Sequence, residues 1–356
     1  MRGRSITADV VALDARQKYL ADFRQRNKAA TVLARIAESK RARVLVVGEA
    51  IIDEYRYCTA IGKSSKEPTL VVKALSIERF AGGSLAIANH LAAFCDRVTL
   101  LTYLGSQNPQ ELFIRSALRA NVQPHFVFRP DAPTIVKRRF IDDYFFHKLF
   151  EVYEINDDML AQPQEDELQG EIERLAGAHD LVVVCDFGHG MLSDSSIGLL
   201  RQRSAFMTAN AQSNAGNLGY HTISKYAGAD YVSTSTNEIL LESRDRHADL
   251  EQVMPQVAER LGLPRLAVTR GVNGSLCYGA SEGFVKTPAF ADNVVDRVGA
   301  GDAFFSITSL LVGMKTPLEI AAFVGNVAGA QAVATVGNRR SVDRGVLLEQ
   351  VEALLD

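Results

Sequence analysis

The sequence predicts a doubly wound α/β fold built around a mainly parallel β-sheet, and two kinds of pattern support this prediction. Four short apolar, β-branched runs occur at residues 44–47, 98–104, 181–185 and 266–269. Unbroken apolar strands are typical of a parallel sheet covered on both faces. Helical patterns lie between them, and the clearest, over residues 250–261, repeats apolar side chains every three to four positions. Strands that alternate with helices indicate a doubly wound fold.

The composition is that of an ordinary globular protein. The 356 residues are 47% hydrophobic and 23% charged, with a formal net charge of −3, which gives no reason to expect a nucleic-acid or membrane partner. Cys185 and Cys277 lie in apolar runs, which predicts buried reduced thiols. No apolar stretch is long enough for a bilayer span and the first residues lack the apolar core of a secretory signal, so the expected compartment is the cytoplasm.

We expect one α/β domain that carries an extension and a lid. Residues 1–40 alternate charged and apolar groups, which predicts one or two amphipathic helices packed on a main domain of residues 41–356. Two segments, about 55–77 and 134–155, interrupt the alternation with extended, mixed polar and aromatic sequence. These two segments are expected to pair in a small separate sheet, called the lid, that covers one edge of the main domain.

Residues that follow the strands are the first candidates for a site, because ligands of an open parallel sheet sit beyond the carboxyl ends of its strands. The most informative segment is VVDRVGAGDAFF, in which Gly299, Ala300 and Gly301 precede Asp302 and an apolar helix. Small residues let backbone N–H groups turn inward at a helix N-terminus, where the partial positive charge favours an anion. The other strand-end candidates are Asp53, Gly82, Gly83, Asp186, Asn210, Gln212, Asn214, Glu238, Thr269 and Arg270.

This GAGD pattern is suited to phosphoryl transfer. Inward-pointing amides would stabilise the negative charge on a phosphoryl group in flight, and Asp302 could accept the proton of an attacking hydroxyl. The competing interpretation is a glycine-rich turn in which Asp302 merely caps the helix. Taken alone, the four residues do not decide between the two.

Six segments in a fixed order favour the catalytic interpretation. They are VLVVGEAIIDEY, FAGGSLAIANHLAAF, CDFGHGML, VTRGVNGS, VDRVGAGDAFF and GNVAGAQAV, spread over roughly residues 43–353. In all six the chain resembles the ribokinase/PfkB carbohydrate kinase family. Within that family, GEAIIDEYRY, PTIVKRRFID and the CDFGHGML block are similar to the kinase half of bifunctional heptose-7-phosphate kinase/nucleotidyltransferases. The nucleotidyltransferase half has no counterpart in these residues.

The resemblance implies a ribokinase-like fold and an ATP-dependent, Mg²⁺-using sugar kinase, and it assigns residues to roles. Asp302 would be the catalytic base, with Gly299, Ala300 and Gly301 as its anion hole. The predicted acceptor contacts are Asp53 for sugar hydroxyls, Gly82 and Gly83 for close approach of the sugar to the backbone, Asn89 and Arg138. The predicted nucleotide contacts are Thr269, Arg270, Gly271, Gly274, Asn326 and Lys225. Glu238, the acidic end of an N-x-x-E motif, would order Mg²⁺ through water.

Arg138 and Lys225 belong to a group of basic residues that are candidates for binding a phosphate. The group comprises Lys63, Lys66, Lys137, Arg138 and Lys225. Each one taken singly is more often ordinary surface charge, and only the concentration in the lid segments suggests a ligand.

The chain departs from the family pattern at four positions. They are Ser235 for the Asn of N-x-x-E, Arg297 for the Thr before GAGD, Ala86 for a sugar-binding Asn, and His189 for the Lys of a DYGKG-like segment. Asn89, one helical turn after Ala86, is the predicted replacement there. Three departures fall where substrate and metal contacts are expected, whereas GAGD is intact. We therefore expect retained chemistry and a less predictable sugar.

Two other apparent motifs are discounted. Residues 62–64 read Gly-Lys-Ser, but the first glycine of a P-loop would fall on Tyr57. Residues 186–188 read Asp-Phe-Gly as in protein kinases, yet the catalytic-loop and glycine-rich motifs of those enzymes are missing. Asp186 is expected to cap a strand end near the phosphate site.

The preferred function is phosphorylation of heptose 7-phosphate at the anomeric position, by a homodimer that assembles through the lid as the resemblance suggests. Other acceptors, such as a hexose or a nucleoside, would leave the ATP-binding half unchanged. A catalytically decayed nucleotide or sugar sensor is a second alternative, given the departures at Ser235, Arg297 and Ala86. A nicotinamide-dependent oxidoreductase is the third, although the first strand is followed by GEAIID and not by G-x-G-x-x-G.

Overall fold

The structure is a computed structural model that describes the backbone of residues 6–356 and the side chains of residues 14–356. Its first two elements are the helices α1 (Ile6–Arg26) and α2 (Ala29–Glu38). One side of α2 is apolar, and its Val32 and Ile36 are buried in the main core. Helices therefore occur where the alternating pattern of the first forty residues predicts them.

The remaining elements alternate along the chain. In order they are β1 (Arg43–Gly48), β2 (Ala50–Lys63), β3 (Leu70–Gly83), α3 (Ser84–Ala92), β4 (Arg97–Gly105), α4 (Glu111–Ala117), β5 (Val122–Arg129), β6 (Ile135–Asp142), β7 (His147–Glu154), α5 (Gln162–Leu175), β8 (Leu181–Asp186), α6 (Asp194–Arg203), β9 (Met207–Ala211), β10 (Tyr231–Ser235), α7 (Thr236–Ser243), α8 (Leu250–Leu261), β11 (Arg265–Thr269), β12 (Ser275–Gly279), β13 (Gly283–Thr287), α9 (Ala300–Gly313), α10 (Leu318–Val333) and α11 (Arg344–Leu355).

Nine strands form the central sheet, in the order β13-β12-β11-β10-β9-β8-β1-β4-β5. The strand pairs from β5 across to β11 are all parallel. At the other edge, β12 pairs antiparallel with both β11 and β13. β1 and β8 at the centre are buried almost throughout, as expected for strands covered on both faces. The prediction of a doubly wound, mainly parallel fold is confirmed.

The two predicted lid segments form a separate four-stranded sheet, in the order β3-β2-β6-β7. β2 pairs in parallel with β6, and the other two pairs are antiparallel. Because side chains alternate across a strand, the lid has two distinct faces. The inner face carries Asp53 and Tyr55, which are buried, and the outer face carries Ile77, Phe150 and Val152, which are exposed.

Two further expectations from composition can be compared with the structure. All four cysteines are free and buried, which confirms the prediction of reduced internal thiols. Across the part of the chain that the structure describes, no helix has both the length and the apolar character needed to cross a bilayer.

Candidate active site

The GAGD segment forms the beginning of α9. Gly299 precedes the helix with a backbone φ of 84°, and Asp302 is the third helical residue. A Cβ on residue 299 would lie 2.1 Å from Oδ1 of Asn338, so only glycine fits there. The interpretation of Asp302 as a helix cap is wrong, because Gly299 holds the cap position and Oδ1 of Asp302 accepts a hydrogen bond from Nε2 of Gln212 at 3.0 Å.

The surroundings of Asp302 favour its neutral form. Burial, followed by the negative charge of Asp53, raises the pKa of Asp302 to about 7, against the opposing effects of the Gln212 hydrogen bond and the Lys137 charge. A carboxyl group with a pKa near neutrality is well matched to accept a proton from a hydroxyl at physiological pH. The geometry of Asp302 thus supports a role as general base.

Asp53 lies on β2 and faces the same space. It is buried and ion-paired with Arg139, and its Oδ2 accepts a hydrogen bond of 3.3 Å from Nδ2 of Asn338. Asn338 therefore lies against both Asp53 and Gly299. A Cβ on Gly82 would be only 2.3 Å from Oδ2 of Asp53. The missing side chain at residue 82 thus makes room for the Asp53 carboxylate.

Gly83 has a different local role. Its backbone φ is 57°, and a Cβ there would lie 2.6 Å from the carbonyl oxygen of Glu49. This left-handed residue is the cap of α3 and directs the chain from the lid into that helix. The Gly-Gly pair is therefore explained by the packing of the protein around Asp53.

The prediction that Arg138 contacts the substrate is wrong, because residue 138 lies on the outer face of the lid. Arg138 is ion-paired with the buried Glu54 at 3.1 Å and also with Glu154. Its neighbours Lys137 and Arg139 lie on the inner face, in register with Asp53 and Tyr55 of β2. A one-residue step reverses the face of a strand, and the sequence of the KRR run does not show which members point inward.

Lys137 is a buried basic residue of the lid that has no anionic partner among the described residues. Its side chain is buried, with only 7% exposed, and its ammonium lies 5.1 Å from the ring of Tyr153 and 5.8 Å from that of Phe187. Among the described residues it makes no hydrogen bond or ion pair. Burial lowers the pKa of Lys137. A cation in so poorly solvated a position is costly unless an anion balances it, which points to a ligand that supplies the anion.

The side-chain amide of Asn89 is also fully used within the protein. Its Nδ2 donates to the carbonyl oxygen of Ala117 and its Oδ1 accepts from the backbone N–H of Arg119, both at 2.8 Å. The amide is thus used on both sides to hold the chain that follows α4. Ala86, the position of the expected asparagine, is buried in α3. The prediction of a sugar contact from Asn89 is therefore wrong.

A cavity of about 570 Å³ lies beside the strand ends of β10 and β11. It contains three of the six predicted nucleotide contacts, Thr269, Arg270 and Gly271. The complete lining is Ser235, Thr236, Asn237, Leu250, Thr269, Arg270, Gly271 and Asn273. The departure at Ser235 therefore lies on the wall of the same cavity.

The other three predicted nucleotide contacts do not line this cavity. Gly274 has a φ of 74°, and a Cβ there would lie 2.1 Å from the carbonyl oxygen of Thr287, so this glycine permits β12 to approach the end of β13. Nδ2 of Asn326 donates to Oγ of Ser275 at 2.7 Å, which ties α10 to β12. In both cases the packing of the protein accounts for the residue.

Lys225 is occupied by a buried carboxylate. Its Nζ donates to Oδ2 of Asp186 at 3.1 Å and to the carbonyl oxygen of Leu192 at 3.2 Å. Asp186 is almost fully buried and also accepts a hydrogen bond from the hydroxyl of Tyr226 at 2.6 Å. A buried carboxylate needs such partners. The structure thus gives Lys225 a role as the counter-charge of Asp186 and does not place it in the lining of this cavity.

The segment that follows Asp186 is held by a second buried carboxylate, Glu49. It accepts backbone N–H bonds from Phe187 at 2.9 Å and His189 at 3.0 Å. Burial and the nearby charge of Asp186 raise the pKa of Glu49 to about 7. Nδ1 of His189 in turn lies 2.8 Å from Oδ1 of Asp157. The histidine that replaces the family lysine is therefore buried and paired.

Glu238 caps its own helix in a reciprocal arrangement with Ser235. Oε2 of Glu238 accepts the backbone N–H of Ser235 at 2.7 Å, and Oε1 accepts that of Ser213 at 3.0 Å. No group of three or more metal-binding side chains is found among the residues that the structure describes. Glu238 is bonded to Ser235 of the cavity lining, and a single carboxylate there fits Mg²⁺, which keeps several waters and binds mainly through the nucleotide phosphates.

The structure adds residues to the site that the sequence did not assign. Gln212 follows β9 and was among the strand-end candidates, but only the structure shows that it holds Asp302. Arg139 belongs to the KRR run, whose sequence does not show that this residue pairs with Asp53. Asn338 lies after α10 in a loop that no motif marks, so no local signal could have identified it.

Comparisons with known proteins show the family to which the chain belongs. The model of the pfkB family carbohydrate kinases matches residues 41–344. The bifunctional protein HldE of Psychromonas ingrahamii is 24% identical over 306 residues, which cover 85% of this chain and 62% of the relative. For HldE of Hahella chejuensis the identity is 26% over 334 residues, with coverages of 89% and 68%. The chain spans about two thirds of the length of these relatives.

Solved structures share the fold. Phosphofructokinase-2 from Escherichia coli in complex with fructose-6-phosphate aligns with a TM-score of 0.70 at 14% identity, over 88% of this chain and 99% of that one. Ribokinase from Thermotoga maritima aligns with a TM-score of 0.67 at 17% identity, over 87% and 99%. The ribokinase-like fold predicted from the sequence is confirmed.

Proposed function

We propose, from the premise that the chain belongs to the pfkB family of carbohydrate kinases, that it transfers the γ-phosphoryl group of ATP to a hydroxyl of a phosphorylated sugar. The observation that carries the proposal is the position of Asp302, a carboxyl with a pKa of about 7 at the head of α9. Asn338 lies against both Gly299 and Asp53. The base, the anion hole and an acceptor-binding carboxylate therefore meet in one place.

The residues of the chain can be assigned to the steps of an in-line transfer. Asp302 takes the proton of the attacking hydroxyl, whose oxygen forms a bond to the γ-phosphorus while the bond from that phosphorus to the β–γ bridging oxygen breaks. Inward-pointing amides at the start of α9 stabilise the charge on the phosphoryl oxygens. Asp53, oriented by Arg139, binds the sugar hydroxyls. Mg²⁺ would neutralise the nucleotide phosphates, with Glu238 ordering its water.

A phosphorylated acceptor is supported by the lid. Lys137 is buried without an anionic partner on the face that carries Asp53, and Arg139 adds a second cation beside it. A phosphate group on the sugar would supply the missing negative charge. The resemblance of GEAIIDEYRY and PTIVKRRFID to heptose-7-phosphate kinases makes heptose 7-phosphate the preferred acceptor, with transfer to its anomeric hydroxyl.

A coupled ADP-release assay tests the proposal. The panel contains heptose 7-phosphate, hexose phosphates, the same sugars without phosphate, and nucleosides. We expect turnover with phosphorylated sugars, fastest with heptose 7-phosphate, and none with nucleosides. Preference for a sugar without phosphate would remove the proposed role of Lys137. Binding of ATP without turnover on any acceptor would instead favour the nucleotide- or sugar-binding alternative.

We also propose that the protein is a homodimer formed through the outer face of the lid. Three apolar side chains on that face, Ile77, Phe150 and Val152, are exposed by 54%, 46% and 45%. Apolar side chains clustered on an exposed sheet commonly mark an interface. Light scattering should give the mass of a dimer for the wild-type protein and that of a monomer for Phe150→Lys. A monomeric wild-type protein would contradict this proposal.

A further inference from the structure

Helix α1 lies outside the part of the chain that is shared with the family. The family match begins at residue 41, and the phosphofructokinase-2 and ribokinase structures leave 12% and 13% of this chain uncovered while being matched over 99% of their own length. The helix is nevertheless tied to the kinase body. Arg24 donates two hydrogen bonds to the carbonyl oxygen of Leu354, and Arg26 is ion-paired with Glu319 at 2.5 Å.

The middle of α1 contacts the segment that joins β13 to α9, residues 288–299. Nη1 of Arg16 lies 2.7 Å from Oδ1 of Asp292, and the Arg16 guanidinium is 5.5 Å from the centre of the Phe290 ring. The Tyr19 ring is 6.2 Å from Phe290, and the Tyr19 hydroxyl is 3.5 Å from Oγ1 of Thr287. α1 therefore covers the start of this segment with one cation and one aromatic ring.

Phe290 is packed between α1 and the body of the protein. Its ring lies 5.3 Å from that of Phe323 on α10. Phe323 also stacks on Phe23 of α1 at 4.5 Å. Phe290 is 5% exposed in this arrangement. Without α1, the Phe290 ring would be more exposed to solvent.

The same segment connects both parts of the nucleotide site. At its beginning, the backbone of residues 287–289 lies against Gly274, at the end of the turn that carries Arg270 and Gly271 of the cavity. At its other end, the segment runs into Gly299 of the anion hole. Just before that, Asp296 accepts a hydrogen bond from the Tyr55 hydroxyl at 2.5 Å. A shift of the segment would therefore move the cavity wall relative to the anion hole.

We infer that α1 is a brace that positions this segment for nucleotide binding, with Arg16 and Tyr19 as its positioning residues. Neither residue is proposed to touch the nucleotide. They act through Asp292, Phe290 and Thr287, which precede the anion hole. The inference goes beyond the proposed function because it concerns the nucleotide alone and does not depend on which acceptor is used.

Calorimetric titration with Mg²⁺–ATP tests the brace on the full-length protein. Tyr19→Ala should raise the Kd for ATP by about tenfold, and Arg16→Ala should raise it by about threefold. Tyr19→Phe and Arg16→Lys keep the ring and the charge and should stay within about twofold of the wild type. Arg35→Ala on α2, which removes only an exposed pair with Glu38, is the matched control and should leave the Kd unchanged.

Hydrogen exchange of residues 288–299 supplies the readout that separates positioning from general stability. We expect faster exchange there in Tyr19→Ala, with the central strands unchanged, and an unaltered KM for the acceptor. An unchanged Kd for ATP in both alanine variants would overturn the inference, as would equal losses in ATP and acceptor binding with a lowered Tm. Failure of the acceptor panel would leave this titration interpretable, since it needs no turnover.

Discussion

The nucleotide half and the acceptor half of the proposed site are built in different ways. On the nucleotide side the decisive features are backbone conformations, with Gly271, Gly274 and Gly299 all at positive φ. On the acceptor side they are buried charges, with Asp53 and Arg139 paired and Lys137 left without a partner. Backbone conformation follows from the local sequence. The partners of a buried charge follow from the three-dimensional arrangement.

This difference explains where sequence reasoning succeeds. Glycines and the GAGD pattern mark the nucleotide half because few other residues tolerate those conformations. The side chains of the acceptor half come from β2, β6 and the loop after α10, which are distant in sequence. The two halves can therefore be tested by separate substitutions, and Asp302 lies where the two halves meet.

The largest effect is expected at that meeting point. Asp302→Asn should lower kcat by about a thousandfold or more and keep the Kd for ATP within about threefold, since it removes the base but not the anion hole. Steady-state kinetics and calorimetry measure the two quantities. Turnover within tenfold of the wild type would remove Asp302 from the base role.

The same variant should be more stable than the wild type near pH 8. Burial raises the pKa of Asp302 to about 7, so ionising it destabilises the native state. The gain in unfolding free energy of Asp302→Asn should therefore grow as the pH rises from about 4 to about 7 and level off above, at roughly 4 kcal/mol, since one pKa unit corresponds to about 1.4 kcal/mol. Denaturant unfolding at several pH values checks this. A gain that does not change with pH would mean that the carboxyl titrates normally.

The second largest effect is expected on the KM for the acceptor, and it should differ between two adjacent residues on opposite faces of the lid. Lys137→Met should raise the KM for a phosphorylated acceptor by about tenfold to a hundredfold, because it removes a buried cation that would bind the phosphate. Arg138→Met is the matched control and should leave that KM within about twofold, while lowering stability because Glu54 loses one of its cations. Equal KM values for the two variants would contradict the assignment of the faces.

A smaller effect, on the free energy of unfolding, is expected when glycines of the nucleotide half are replaced. Gly274→Ala places a Cβ 2.1 Å from the carbonyl oxygen of Thr287 and should cost about 2–4 kcal/mol of unfolding free energy. Gly271→Ala, where φ is 56° but no atom lies within 4 Å of the new Cβ, should cost about 1 kcal/mol. Thermal unfolding of both proteins gives the comparison. Similar losses would show that crowding against Thr287 is not the limiting feature.

The smallest effect is expected at Arg297. This residue is exposed just before the anion hole and has no ion pair among the described residues. Arg297→Thr introduces the threonine that the family pattern has at this position. It should raise the KM for ATP by only about twofold, because the attraction of an exposed cation for the nucleotide phosphates is screened by solvent. A tenfold rise would show instead that Arg297 binds the phosphates directly.

The fold and the position of the candidate base Asp302 at the start of a helix were largely predictable, and the contacts of the surrounding residues were not. Periodicity correctly predicted the strands and α8, and the order of the motifs correctly predicted the family. The errors at Asn89 and Arg138 have one physical cause. A sequence shows that a residue can donate hydrogen bonds, but only the fold shows that Ala117 or Glu54 already occupies the donor.

The pH dependence of kcat/KM for the acceptor is the most direct test of the central claim. With Asp302 as the base and its pKa raised to about 7, the rate should increase about tenfold per pH unit up to pH 7 and then level off. The measurement needs only the wild-type enzyme, saturating Mg²⁺–ATP and an acceptor whose own groups do not titrate in that range. A rate that is flat between about pH 5 and pH 8 would contradict the claim.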